Sequence, residues 1–291
     1  DAIAINTLAN QIAKANQDIA RALGSGQAPN DLLDQRDQLI RDLNKYVQTT
    51  QIPADDGTVG IFLAGSQPLV LGTTVSPVSI VNNEFNDPAK AKLAINVAGV
   101  ARPRDESTLG GGEVSGLLRF MNTDLVEAGN LLGRMALAIG TQMNDQQALG
   151  VDLNGNPGTA LFNLANLPNG FPSTTNTGAA TLSLSVQTNP SGTPALVPSD
   201  YEVTFASATT GTIKRLSDGT TTAFTVPALP AAPVVQIDGL NITVGGGAAA
   251  AGDRYVLKPF STSANSITTA FSSPKGLAMA SPAAANAGAA N

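Results

Sequence analysis

The feature that most restricts this chain is a spacing of apolar residues in alternating steps of three and four, sustained over unusually long stretches. In residues 114–147 it runs through Leu118, Met121, Leu125, Ala128, Leu132, Met135, Ile139, Gln142 and Gln146. A period of this kind keeps one narrow stripe on a helix and obliges that stripe to pack along a near-parallel neighbour. At about 1.5 Å of rise per residue such a helix would be about 50 Å long, so the spacing predicts an elongated element. Gly129, Gly133 and Gly140 lie off the stripe and mark either the close approach of another backbone or a local weakness.

The same steps open the chain. Ile5, Ala9, Ile12, Asn16, Ile19 and Leu23 predict a helix over residues 2–23, ended by Gly24-Ser25-Gly26. A second helix is expected over residues 30–47, with Asn30 as its cap and Asp31 and Asp34 favourable near its positive end. Its stripe is Leu32, Arg36, Leu39, Leu43 and Tyr46, which puts a charge in the seam. Arg36 is expected to snorkel to solvent along its stem; pairing with a carboxylate is the alternative. The expected packing and assembly residues are Ile5, Ile12 and Ile19 on the first helix and Leu118, Met121, Leu125, Leu132, Met135 and Ile139 on the third.

Residues 49–109 read as a small β-hairpin unit inserted between helices, with strands near 58–63, 69–71, 78–81 and 92–97. Gly110-Gly111-Gly112 then reads as a flexible joint, because neither phosphate-loop glycine pattern is present. Beyond Phe162, seven strand candidates (180–187, 201–206, 212–216, 221–226, 234–237, 240–244 and 255–257) predict a sandwich or barrel. Ser217 to Thr220 and Asp238-Gly239 supply turns, the second a two-residue hairpin. Short helical turns are expected near 267–271 and 275–280, before a disordered alanine-rich tail. The expected class is α+β and multidomain: an elongated, coiled-coil-like helical domain over 1–161 carrying the β unit 49–109, a separate all-β domain over 162–258, and a return segment over 259–291.

Composition narrows the chemistry. The 291 residues include no Cys, His or Trp, which excludes disulfides, Cys or His zinc sites, thiol nucleophiles and histidine general bases. Of the 38 charged residues, 28 fall before residue 161, so the two halves are different materials. A net charge of -6 without a basic block argues against nucleic acid or an anionic membrane as partner. Asp55-Asp56 and Asp152-Leu153-Asn154-Gly155-Asn156 read as turns rather than as an acid/base pair and a calcium loop. No catalytic, cofactor or metal residue is expected.

Three segments carry a resemblance: Asn30-Asp31-Leu32-Leu33-Asp34-Gln35-Arg36-Asp37; the helix entry Gly111-Gly112-Glu113-Val114-Ser115-Gly116-Leu117-Leu118; and Gly150 to Gly158 with Phe162. Together they resemble the flagellar hook-associated protein 1 family of the hook-filament junction. Ser199 to Val203, Ile237 to Leu240 and Gly252 to Tyr255 extend the likeness into the sheet region. The resemblance implies a secreted, non-enzymatic adaptor of the extracellular bacterial flagellum that self-assembles through helical segments. It further implies hook protein, the adjacent junction protein and an export chaperone as partners, with no nucleic acid or membrane. Family members have further helical segments on either side of this region, so a chain opening on Asp1 is expected to be an internal piece, monomeric or weakly associating. The family often has a histidine where this chain has Gln147. A surface adhesin or carbohydrate-binding β module is the alternative, disfavoured by an aromatic content of 4%; a carboxylate-dependent glycan hydrolase would need two convergent acids.

Overall fold

The computed structural model describes residues 1–26, 28–187, 195–227 and 233–281. Backbone proximity divides the chain into two compact units, Asp1–Leu125 and Val126–Asn291. The division falls inside the third predicted helix rather than at residue 161.

In the first unit, α1 (Ala2–Gly24) pairs with α2 (Asn30–Tyr46). Asn30 is the first helical residue and Pro29 the capping one, so the expected Asn30 side-chain cap is not made. The α1 stripe is buried from Ile5 to Ile19, with Leu23 exposed, but not in a helix-helix seam alone. Ile5 and Ile12 share a core with Ile40 and Leu43 of α2 and with strand residues Ile61, Leu69, Val78 and Leu93; Ile19 is also fully buried. Those strands form two sheets. One has four strands in sequence order: β1 (Thr49–Pro53), β2 (Val59–Leu63), β3 (Gln67–Leu71) and β4 (Thr74–Val75). The other has three: β5 (Val78–Asn82), β6 (Ala91–Val97) and β7 (Val100–Arg104). The inserted unit is thus larger than the expected hairpin. Its edge strands β1 and β7 are mostly exposed and lack the in-out alternation that betrays a strand in sequence.

The glycine joint is not loose. Gly111 accepts a hydrogen bond from the Gln48 amide at 2.9 Å, and Gly112, at φ +98°, lies so close to the Tyr46 carbonyl that a Cβ would collide with it. The turn is packed and starts α3 (Glu113–Arg119). Phe120–Asp124 follows as a π-helical turn, and α4 (Leu125–Ala148) completes the helical stretch.

The second unit contains the sheet pair. Short strands β8 (Phe162–Asn163) and β9 (Phe171–Pro172) precede β10 (Thr181–Val186), β11 (Tyr201–Phe205), β12 (Thr210–Arg215), β13 (Thr221–Thr225), β14 (Val234–Ile237), β15 (Leu240–Gly245) and β16 (Arg254–Leu257). One sheet runs β10-β15-β14 and the other β13-β12-β11-β16-β9. Alternate residues of both, including Leu182, Ile242, Val203, Ile213 and Leu257, enter one core, so the seven predicted strands form a sandwich. Phe205 meets Phe224 and Tyr255 edge to face at 5.4 and 5.9 Å. Asp238 and Gly239, both at positive φ, make the two-residue turn from β14 to β15.

Past β16 the expected helical turn at 267–271 is absent, and the one expected at 275–280 is met only by a 3-10 turn at its start. The chain instead forms a single turn of helix, α5 (Ser263–Ser266), then β17 (Thr268–Thr269) paired with β8, then a 3-10 turn at Pro274–Gly276. The outer part of the alanine-rich tail, 282–291, lies outside the described residues.

One motif recurs through both units: an asparagine carboxamide pairing with both the N–H and the C=O of a single strand residue. Asn6 does so with Val78, Asn16 with Val59, Asn122 with Ala91, Asn144 with Phe162 and Asn176 with Arg254, all at 2.8 to 3.1 Å. Each partner is the first residue of its strand. Asn16 also donates to the Gly72 carbonyl and accepts from Arg36. Asn16→Ala is expected to destabilise the protein by at least about 2 kcal/mol in urea unfolding, since it orphans several buried backbone groups at once.

Asp253 is pinned differently. Burial pushes its carboxyl pKa up, but amide donors from Ala250, Thr177 and Gly178 outweigh that and hold it below the ordinary aspartate range. Its contribution is therefore fully present above about pH 4 and lost as the pH falls through the depressed folded value. Asp253→Asn should flatten the acid limb of a stability-against-pH curve.

Candidate functional site

The helical stretch from Glu113 to Ala148 shows which side of each unit is closed and which is open. Its inward positions are Val114, Leu118, Asn122, Val126, Asn130, Gly133, Leu137, Gly140, Asn144 and Gln147, buried or half-buried throughout. They advance by fours through the π turn and then alternate threes and fours. A π turn accommodates one extra residue, so the inward stripe shifts one position away from the leucine repeat. Asn122 holds the turn, pairing with Ala91 and donating to the Glu106 carboxylate at 2.9 Å.

In the second unit that inward side is made of small and polar residues. Gly133 sits against the Phe260 carbonyl and Gly140 against the Leu164 and Ile267 side chains, with no room for a Cβ at either. The close approach of another backbone holds at Gly133 alone: Gly140 meets side chains, and Gly129 has nothing within 4 Å of a Cβ position. Asn130 donates to Asp200 at 3.1 Å, Leu137 enters the sandwich core, and Asn144 accepts from the Leu161 and Phe162 amides. Gln147 donates to the Gly276 carbonyl at 2.6 Å and accepts from the Ala278 amide at 3.1 Å. The Gln147 carboxamide thus has a two-point hold on the return segment.

The leucine stripe faces the other way. Leu118 is buried and Met121 half-buried, but Leu125, Leu132, Met135 and Ile139 are 46% to 54% exposed, with Leu131 and Met143 beside them. In the second unit Leu131, Leu132, Met135, Ala138 and Ile139, with Leu196 from the loop before β11, line an open groove of about 440 Å³, with Arg134 at its margin. Large apolar residues gathered on one helix face mark an interaction surface. A second groove, of about 360 Å³, lies between α1 and α2 in the first unit and is lined by Gln11, Lys14, Asp18 and Gln35 as well as Leu32 and Leu39.

The segment Asn30 to Asp37 divides by depth. Asn30, Asp31, Asp34, Gln35 and Asp37 are exposed, Leu32 and Leu33 half-buried, and Arg36 only 7% exposed. Arg36 neither snorkels nor pairs with a carboxylate. Its guanidinium donates to the Gly57 carbonyl at 2.7 Å and to Asn16 at 3.4 Å. Burial draws its pKa below the ordinary arginine value, against the opposing pull of Asp37.

Several other charged groups are occupied in turns and clamps. Asp56 accepts from the Thr58 amide and hydroxyl, and Asp152 from the Asn154 and Asn156 amides, so both predicted loops are turns. Asp238 takes both arms of Arg215, at 2.7 and 2.9 Å, and the Tyr201 hydroxyl at 2.8 Å. Burial and then Asp238 push the Tyr201 pKa up. Tyr201 and Tyr255 are both buried, Tyr255 donating to the Ala180 carbonyl, so neither ring offers a sugar-stacking platform. Among the described residues no group of three or more His, Cys, Asp or Glu is placed to hold a metal ion, and no helix is long and apolar enough to cross a membrane.

Sequence reasoning missed the carboxamide clamps, apart from noticing Asn16 in the α1 stripe. For Asn6, Asn16, Asn122 and Asn144 the signal is an asparagine on the sunken phase of a helix, a phase that the π turn moves, whereas Asn176 lies in the loop after β9.

Fold and surface together define a multidomain α+β protein with an open apolar helix face. The family model described as "Flagellar hook-associated protein FlgK helical domain" matches residues 1–162, and that described as "Flagellar hook-associated protein 1, D2-like domain" matches residues 171–259. The chain is 35% identical over 283 residues to flagellar hook-associated protein 1 of Salmonella typhimurium and 34% identical over 281 residues to that of Escherichia coli K12. Each alignment covers 95% of this chain and 49% of the relative. Among solved structures, the flagellar hook junction protein FlgK from Burkholderia pseudomallei matches with a TM-score of 0.84 at 30% identity, over 96% of this chain and 49% of that one. The chain belongs to the flagellar hook-associated protein 1 family and spans about half the length of the curated relatives it matches.

A charge on the open face should cost the isolated chain little. Leu132→Asp is expected to leave its melting temperature nearly unchanged, whereas Gly140→Leu, on the opposite side of the same helix, should lower stability by about 1 to 3 kcal/mol through overpacking.

Proposed function

We propose that the chain is a portion of a structural adaptor at the junction between flagellar hook and filament, and that the leucine face of α4 receives a helical segment of the complete protein. The observation that carries this is the run of half-exposed Leu125, Leu132, Met135 and Ile139 at helix-packing intervals. Support comes from family membership and from relatives about twice as long, whose remaining half includes ample chain to cover such a face. In this reading Ile5, Ile12 and Ile19 build the unit's own core, and the open stripe serves assembly. The partners are further copies of the same protein, hook protein and the neighbouring junction protein, after delivery by an export chaperone to the cell exterior. Repeated head-to-tail contacts give the rings and helical arrays such a position requires.

The test compares the chain with the complete protein. Leu132→Asp combined with Met135→Asp should destabilise the complete protein by about 2 to 5 kcal/mol, as expected for charges forced into a packed helix interface. In a strain without its own copy, the variant should fail to restore filament attachment and swarming. A complete protein that melts like wild type and swarms normally with both charges in place would refute the assignment.

A further inference from the structure

The turn Asp152 to Asn156 is an element that the adaptor reading leaves unused. It carries Asn154-Gly155, one of two Asn-Gly pairs in the chain; the other is Asn169-Gly170. Both asparagines are exposed, but their glycines differ. Gly170 donates its amide to the Leu182 carbonyl at 2.8 Å at the margin of the sandwich and is packed against Leu257, so its nitrogen is held in place. Gly155 lies at φ +78° in an exposed turn with nothing near the Cβ position, tied among the described residues only by a 3.0 Å bond to the Asp152 carbonyl within the turn itself.

We propose that Asn154 is a site of spontaneous deamidation, through which the chain accumulates a chemical record of age. The Gly155 amide gives its proton to hydroxide, and the nitrogen attacks Asn154 Cγ. The Cγ–Nδ2 bond breaks, ammonia departs with a proton from water, and a five-membered succinimide closes. Water then opens either carbonyl of the ring, leaving aspartate or isoaspartate. The net change is one water consumed, one ammonia released and one carboxylate gained, with no oxidant or reductant. Glycine favours the step because no side chain hinders the attacking nitrogen and the backbone reaches the required angles freely.

The site matters because of what rests on the turn. Asp152 Oδ1 holds the turn by accepting from the Asn154 and Asn156 amides, both at 2.8 Å. On either side of it, the Val151 amide donates to the Ala280 carbonyl at 2.8 Å and the Leu153 amide to the Lys275 carbonyl at 3.2 Å. Isoaspartate adds a methylene to the backbone at 154 and sets a second carboxylate beside Asp152. The turn then loses its internal bonds, and the return segment loses its hold on Val151 and Leu153 while Gln147 still grips Gly276 and Ala278.

The experiment ages the protein at pH 8.5 and 37 °C and follows three quantities: released ammonia, isoaspartate by methyltransferase labelling with peptide mapping, and hydrogen exchange at the Val151 and Ala280 amides. Isoaspartate should build up in the peptide containing Asn154 well ahead of the one containing Asn169, and Val151 and Ala280 should exchange faster in the aged fraction. Asn154→Gln should remove the first signal and keep exchange at its starting level. Equal or faster modification at Asn169 would overturn the assignment of the site. Isoaspartate at 154 with unaltered exchange at Val151 and Ala280 would overturn its coupling to the return segment.

Discussion

The attachment of strands to their supports depends on one interaction, a carboxamide standing in for a peptide group. A strand's first residue has an N–H and a C=O at the sheet margin, where burial without partners is costly. Asparagine offers one donor and one acceptor in the geometry of a backbone amide, so a single side chain settles both. Two such residues, Asn6 and Asn16, project from α1 to the starts of two strands in different sheets, and Asn122 reaches a third. These contacts fix which strand residue lies opposite which helix residue. The hydrophobic core, being non-directional, would tolerate a slip that the carboxamides do not. None of the five carries a charge of its own, although Asn16 accepts from Arg36 and Asn122 donates to the Glu106 carboxylate.

The second constraint is the one-residue offset at the π turn. Had Glu113 to Ala148 been uninterrupted α-helix, the repeat begun by Leu118 would have remained on the inward side. With Phe120–Asp124 absorbing an extra residue, Gly133, Gly140 and three carboxamide residues take that side, and the leucines turn to solvent. Glycine suits the inward role at 133 because the neighbouring backbone at Phe260 comes too close for any side chain.

Much of this fold was legible in sequence because its signals were local. The α1 and α2 boundaries followed from Gly24-Ser25-Gly26 and Pro29, and all seven sandwich strands from alternation between turn residues such as Asp238-Gly239. What could not be read was the phase of α4, because a π turn leaves no pattern in residue type and the leucine repeat continues unbroken across it. Strands β1 and β7 escaped for a related reason: as exposed edges they are not required to alternate. Arg36 was misread because burial of a guanidinium depends on a distant acceptor, the Gly57 carbonyl, that only tertiary structure supplies. The apolar stripe itself was legible, although its exposure was not.

A helix with two differently employed sides is also judged by two different examiners. Changes among Asn130, Gly133, Leu137 and Gly140 reveal themselves in any single copy kept alone in a tube. On the proposed docking, changes among Leu132, Met135 and Ile139 pass unnoticed there and declare themselves only in company. Directed evolution that rewards heat tolerance of the lone piece would therefore drift freely across the second side, yielding hardy molecules that have forgotten how to join.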